Sequence, residues 1–177
     1  MIRSLTIDKH TIKSSEEMSS LMVNIHIQLL DLSALYPGFE AWYSEKVVPG
    51  ILGGERSLLI EMRNDNLAGI AITKNDGLEK KLCCLRVLPE YENTTGIGVR
   101  LFERSMEELS TRQPLLSVSN DRVHDFEKIF LYFGFKKSWE YPDLYRPKKV
   151  ELSYNGLIIQ PPQYGNKLMS SLSIATS

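Results

Sequence analysis

Apolar residues along the chain first alternate and then recur at helical spacing. Ile2, Leu5 and Ile7 within Met1–Asp8 predict a short first strand. Ser14 followed by Glu17 has the form of a capping box, in which hydroxyl and carboxylate satisfy each other's orphan amides at a helix start. Met18, Leu21, Met22, Ile25 and Leu29 then follow the 3.6-residue period and predict a helix to about Leu30. Tyr36-Pro37 opens a second, shorter helix with Phe39, Trp42, Tyr43 and Val47 on one side. Pro37 suits a first helical position, and Pro49-Gly50 predicts its end.

The middle of the chain switches to strand patterning. Ser57–Met62 and Leu67–Thr73 are apolar runs joined by the turn-like Asn64-Asp65-Asn66, with Gly69 marking a bulge or a close approach. Asn75-Asp76-Gly77 is a hairpin signal, after which Glu79–Leu88 predicts a third strand. Leu82-Cys83-Cys84-Leu85 is apolar on both faces, which places that strand centrally, under layers on both sides.

A loop at Pro89–Thr95 leads to a helix from about Ile97 to Leu109. Its buried stripe is Leu101, Phe102, Met106 and Leu109, with Arg100, Glu103, Arg104, Glu107 and Glu108 facing water. Leu115–Val118 predicts a short strand. Ser119-Asn120-Asp121 supplies caps for a helix carrying Val123, Phe126, Phe130 and Phe133, which Gly134 ends in a left-handed turn. Strands near Phe135–Tyr141 and Val150–Tyr154 complete one domain over residues 1–160. Residues 161–177 are polar and Ser-rich and are expected to form a mobile tail.

Composition adds exclusions. A net charge of −1 over 177 residues gives no large field to gather nucleic acid or acidic membranes. The one basic cluster, Lys136-Lys137 with Arg146, Lys148 and Lys149, is interrupted by Glu140 and Asp143. No apolar run nears the roughly 20 residues that span a bilayer, and no signal peptide is seen, so a cytoplasmic setting is expected. Cys83 and Cys84 are strand neighbours pointing apart, poorly placed to pair or share a metal, and read as buried free thiols of a reducing compartment.

The chemistry lies in Leu85-Arg86-Val87-Leu88-Pro89 followed by Thr95-Gly96-Ile97-Gly98. A strand ends, a loop crosses and two glycines open a helix. Unpaired amides there face outward, the helix dipole favours negative charge, and the missing Cβ atoms let a diphosphate reach the main chain. A Rossmann site would need a third glycine directly after the strand, and a Walker loop would need Gly-Lys-Ser/Thr; neither is present.

In its order of elements the chain resembles the GNAT N-acetyltransferase superfamily. The resemblance rests on Leu67-Ala68-Gly69-Ile70-Ala71, Leu85-Arg86-Val87-Leu88-Pro89-Glu90-Tyr91, Thr95-Gly96-Ile97-Gly98 and Tyr132-Phe133-Gly134-Phe135, spanning roughly residues 2–155. It implies an α/β (α+β) fold: a central mixed, mostly antiparallel sheet flanked by helices on both faces, in the order β-α-α-β-β-β-α-β-α-β-β.

The resemblance further implies an acetyl-CoA co-substrate. Leu85, Arg86 and Val87 would hold the thioester arm, with Asn93, Thr94, Thr95, Gly96, Ile97 and Gly98 around the pyrophosphate. Two departures stand out. Asn93 takes the place of the family's usual Arg or Gln, and Phe130 that of a tyrosine which protonates the leaving thiolate; Tyr132, two residues further on, is the candidate catalytic residue for that role.

Glu79, expected on the strand face of Cys83, Leu85 and Val87, is the candidate base, reaching the substrate through a water. His124 and the cysteines are weaker candidates. Trp42, Tyr43 and the Pro49–Gly54 segment would line the acceptor side. The expected reaction is acetyl transfer to an amine-bearing acceptor, without nucleic acid or membrane and with a homodimer left open. A macromolecular acceptor, such as aminoacyl-tRNA or protein, and a non-catalytic CoA-binding module are the alternatives.

Overall fold

The computed structural model describes residues 2–11, 15–92 and 96–158. Four antiparallel strands, β1 (Ile2–Ile7), β2 (Arg56–Arg63), β3 (Asn66–Asn75) and β4 (Lys80–Val87), form one sheet in sequence order. A second sheet holds β5 (Leu116–Ser119), β7 (Val150–Tyr154) and β6 (Lys137–Pro142) in the order β5-β7-β6. A single parallel bridge, Lys81 to Leu115, joins them into one mixed, mostly antiparallel platform.

Helices cover both faces. On one lie α1 (Ser15–Leu29), α2 (Phe39–Trp42) and α3 (Val48–Gly53); on the other lie α4 (Ile97–Glu108) and α5 (Val123–Phe133). The platform thus separates two cores. Met22, Ile25, Leu29, Phe39, Val47 and Ile51 pack on Leu58, Ile60, Ile70 and Ile72. Leu101, Phe102, Met106 and Phe130 pack on Leu59, Ala71, Leu82, Leu116, Val118 and Leu152 on the reverse. Complete burial of a side chain such as Ile51 or Leu101 stabilises the fold by about 1.5–3 kcal/mol.

Several expectations need correcting. The Ser14–Glu17 capping box and the residue 161–177 tail lie outside the described residues. The second helix starts at Phe39 rather than Pro37, and Pro49-Gly50 does not end it. A π-turn at Tyr43–Val47, with the Val48 amide bonded to the Tyr43 carbonyl, widens the helix just ahead of Pro49. A ring that would press on the carbonyl four residues back is thereby accommodated, and α3 runs on to a left-handed Gly54 at φ 83°.

Arg104 does not face water. Its guanidinium donates to Glu61 Oε1 at 2.8 Å, to the Ile60 and Leu5 carbonyls and to Thr6 Oγ1, tying α4 to β1 and β2. Nor do Ser119, Asn120 and Asp121 cap α5, which carries no side-chain cap bond. Asp121 pairs with Arg146 and Lys149, Ser119 accepts from Arg146, and Asn120 accepts from the Val150 amide. These groups anchor the β6–β7 loop instead.

Both hairpin readings and Gly69 hold. Asn64 and Asp65, at φ 49° and 63°, form the two-residue loop closing the Arg63–Asn66 pair. A Cβ on Gly69 would stand 2.7 Å from Ile97 Cγ2 and 2.9 Å from Leu101 Cδ1. Glycine here lets the first turns of α4 lie directly on β3, which fixes where that helix begins.

Candidate functional site

Beyond the Lys81–Leu115 bridge, β4 and β5 separate. The bridge is closed by Leu82 N–H to the Leu115 carbonyl and Leu115 N–H to the Lys80 carbonyl, both at 2.9 Å. At the other end of β4 the Leu88 amide donates to the Ala68 carbonyl of β3. Counting back in the antiparallel ladder, Arg86 and Cys84 turn their main-chain groups toward β3, and Leu85 and Val87 turn theirs away, into the gap. The split therefore has a polar main-chain edge along β4, closed at Lys81 and open at Val87.

A bulge shapes this strand. Ile72 pairs with Cys84 and Thr73 with Leu82, so Cys83 is an extra residue and the simple alternation fails. Leu82, Leu85 and Val87 pack toward α4, whereas Cys83 and Cys84 both face the α1–α3 core. Burial pushes both thiols up, Cys84 to about 12, which lowers their thiolate fraction at neutral pH.

At the open end the start of α4 meets the end of β4. Gly96 is the N-cap, left-handed at φ 69°; among the described residues it has no side-chain cap bond and a Cβ there would meet nothing within 4 Å. The Arg100 amide returns to the Gly96 carbonyl at 3.0 Å, which leaves the first-turn amides of Ile97, Gly98 and Val99 outside the helical ladder. A Cβ on Gly98 would be 3.5 Å from Val87 Cγ2, so the amide cluster sits against the last residue of the split edge. Main-chain donors at a helix N-terminus, reachable because glycine opens the corner, suit a phosphate or diphosphate.

The residues expected from sequence divide accordingly. Leu85, Val87, Gly96, Ile97 and Gly98 converge on the corner and split. Asn93, Thr94 and Thr95 lie outside the described residues. Arg86 is used otherwise: its main chain pairs with Ile70, and its guanidinium, 15% exposed, is ion-paired with Asp31 on the α1–α3 side.

Glu79 is not on the strand face of Leu85 and Val87. It belongs to the hairpin loop before β4, where Lys74 Nζ holds its carboxylate at 3.2 Å. Tyr132 is 73% exposed on the outer side of α5, because Phe130 two residues earlier occupies the inner side among Phe102, Phe126, Phe135 and Tyr154. Tyr43 is a core residue whose hydroxyl donates to the Met22 carbonyl, Trp42 lies under Arg56, and His124 is exposed beside Asp125.

The sequence reading missed a buried polar surface on the second sheet. Leu116, Val118, Leu152 and Tyr154 face α4 and α5, so Ser117, Ser119, Glu151 and Ser153 face the other way, on the same side as Cys83 and Cys84. Glu151 is 5% exposed and accepts a hydrogen bond from Ser117; Ser153 is fully buried and its hydroxyl has no partner among the described residues. Burial raises the Glu151 carboxyl above its usual range, opposed by Ser117 and by the charges of Arg146 and Lys81.

Tyr36 and Tyr145, rings edge-to-face at 5.9 Å, stand within electrostatic reach of Glu151, and Tyr36 also of Cys84. Burial and the Glu151 charge push the Tyr36 phenol up to about 12, keeping it neutral. The alternation Val150-Glu151-Leu152-Ser153-Tyr154 was the available signal. In a sheet covered on both faces, the polar half of such a strand is buried rather than solvated.

No family model matches the chain, and no curated protein matches it. Solved structures do. An acetyltransferase of the GNAT family from Bacillus cereus superimposes with a TM-score of 0.60 at 16% identity, covering 87% of this chain and 95% of the other. An aminoglycoside 6'-N-acetyltransferase in complex with coenzyme A gives 0.57 at 16% identity, covering 87% and 94%. The PaiA N-acetyltransferase of Thermoplasma acidophilum, also with coenzyme A, gives 0.56 at 17% identity, covering 86% and 98%. At such identities the likeness is one of fold, and the chain has the GNAT fold.

Proposed function

We propose that this GNAT-fold chain is an acetyl-CoA-dependent N-acetyltransferase that passes the acetyl group to an amine by direct attack. The observation that carries the reading is the adjacency of two surfaces: the first-turn amides of α4 at Gly96–Gly98, and the end of the Leu85 and Val87 edge of β4, where a Cβ on Gly98 would stand 3.5 Å from Val87 Cγ2. The diphosphate of coenzyme A fits the first, and its amide-bearing arm fits the second by strand-like pairing. Solved neighbours of the same fold are complexes with coenzyme A, which supports acetyl-CoA as the co-substrate.

An arm anchored at the open end and laid along β4 delivers its far end toward the closed apex at Lys81–Leu115. The thioester carbonyl would then take a hydrogen bond from a β4 amide, placing a donor where negative charge develops. Both cysteine thiols are raised by burial, which disfavours an acylated thiol, and in this reading the amine attacks the thioester itself.

One observation favours the non-catalytic alternative. The position where the family resemblance implies a thiolate-protonating tyrosine is Phe130, buried at 5% in an aromatic cluster. The deciding experiment incubates the purified protein with acetyl-CoA and spermidine, tyramine or a short peptide with a free N-terminus. Thiol release together with a one-acetyl mass gain on an amine is expected. Tight acetyl-CoA binding without release on any of them would make the chain a binding module.

A further inference from the structure

Resting on the acyl-transfer reading, we propose that Glu151 is the catalytic base that takes the proton from the acceptor amine beside the β4–β5 split. The case begins with position. β5 lies between β4 and β7, and its Leu115 end makes the last contact with β4. Ser117, two residues beyond that contact, stands where the strands have begun to part, and it donates to the Glu151 carboxylate from the neighbouring strand. Glu151, Ser117 and Ser153 share the α1–α3 face with Cys83 and Cys84 of β4, and Lys81 of β4 is within electrostatic reach of the Glu151 carboxylate.

Arg146 and Lys81 act on this carboxylate through space. Arg146 is committed to Asp121 at 3.0 Å and Ser119 at 2.8 Å, with Lys149 also on Asp121 at 2.8 Å. Among the described residues no ion pair is recorded for Glu151, although only 5% of it is exposed. A carboxylate this buried, hydrogen-bonded to Ser117 and offset only through space by Arg146 and Lys81, carries a desolvation cost. A cationic amine arriving between Tyr36 and Tyr145 would supply the missing charge, and the unpartnered Ser153 hydroxyl would supply a second polar contact.

The chemistry balances without a further reactant. The ammonium gives one proton to Glu151. The freed nitrogen pair forms the C–N bond at the thioester carbonyl carbon, the C–S bond breaks, and the second nitrogen proton passes to the departing sulfur. Amide and free thiol result, and Glu151 returns its proton to solvent. A Lys-like amine has only about one free molecule in a few thousand at neutral pH, so a base is needed.

The groups that set the pH dependence are Ser117 from β5, Lys81 from β4, Arg146 and Tyr145 from the segment before β7, Asp121 after β5, and Tyr36 ahead of α2. Their sum, dominated by burial, favours the neutral acid and brings the carboxyl closer to the working pH of a base.

The test measures acetyl transfer to spermidine, tyramine and the peptide across pH for wild type, Glu151→Gln, Glu151→Asp and Glu79→Gln, with acetyl-CoA binding followed in parallel by melting shift. Expected for Glu151→Gln is a fall in kcat of about 100-fold or more, KM for acetyl-CoA within a few-fold, and loss of the acidic limb of the kcat/KM profile. Glu151→Asp should restore part of the rate and the limb. Full activity with an unchanged limb in Glu151→Gln, or transfer of these effects to Glu79→Gln, overturns the assignment and leaves the acyl-transfer reading standing. A silent wild type that binds acetyl-CoA overturns the acyl-transfer reading itself, and this assignment with it.

Discussion

Glu61 Oε1 on β2 lies 2.8 Å from Arg104 Nη1 on α4, with the carboxylate wholly buried and the guanidinium 16% exposed. The same guanidinium reaches the Leu5 carbonyl and Thr6 Oγ1 of β1, so one side chain fastens the edge strand, its neighbour and the helix whose first turn forms the phosphate corner. Removing Arg104 would leave a buried carboxylate with only Ser4 and the distant Arg100 at 3.8 Å. Arg104→Ala should therefore cost about 3–5 kcal/mol in urea unfolding. The double variant Glu61→Leu/Arg104→Met should recover most of that loss.

Gly69 sets the height of α4 above the sheet. Gly69→Ala would push a methyl into Ile97 and Leu101, costing about 1–3 kcal/mol. Lifting the first turn away from Val87 should also weaken acetyl-CoA binding. Melting curves with and without acetyl-CoA should show both effects, and a variant with wild-type values for both would refute this placement.

The sequence made the helices and strands legible where period and turn chemistry agree. Asn64-Asp65, Asn75-Asp76-Gly77, Gly96 and Gly134 each mark a turn that the structure contains. Three features were hidden for physical reasons. Pro49-Gly50 reads as a stop because a π-turn, which absorbs the proline, leaves no local signature. Arg104 reads as solvated because its partner is 43 residues away. The Cys83 bulge carries no glycine, so the faces assigned along β4 and the role assigned to Glu79 followed an alternation that the strand does not keep.

Stability should also report on Glu151. Its folded carboxyl titrates above the ordinary value of 4.5, so between those two pH values the native state binds more protons than the unfolded one. The sign follows: the neutral acid is tolerated fully below pH 4.5, and stability is lost as pH rises toward the folded value. Glu151→Gln should thus unfold at higher temperature than wild type at neutral pH and at nearly the same temperature near pH 4.5. An advantage for wild type at neutral pH would contradict an unpaired buried carboxylate.

The two thiols should be inert in the folded protein. Cys83 and Cys84 are the only cysteines, both free, and burial raises both. A thiol reagent should label native protein far more slowly than urea-unfolded protein, which should give two equivalents. Initial rates against both substrates should intersect rather than run parallel. Parallel lines would indicate an acylated enzyme and contradict direct attack.

The central claim, that main-chain amides at Gly96–Gly98 grip the diphosphate, is tested most directly by calorimetric titration of acetyl-CoA into wild type, Gly96→Ala and Gly96→Trp. Both variants carry the same left-handed strain of about 1–2 kcal/mol, and a Cβ at this position points into open space; only the indole fills the corner. Wild type and Gly96→Ala should bind with similar affinity and Gly96→Trp at least about tenfold more weakly, about 1.4 kcal/mol. Equal binding by all three would place the ligand elsewhere and contradict the account.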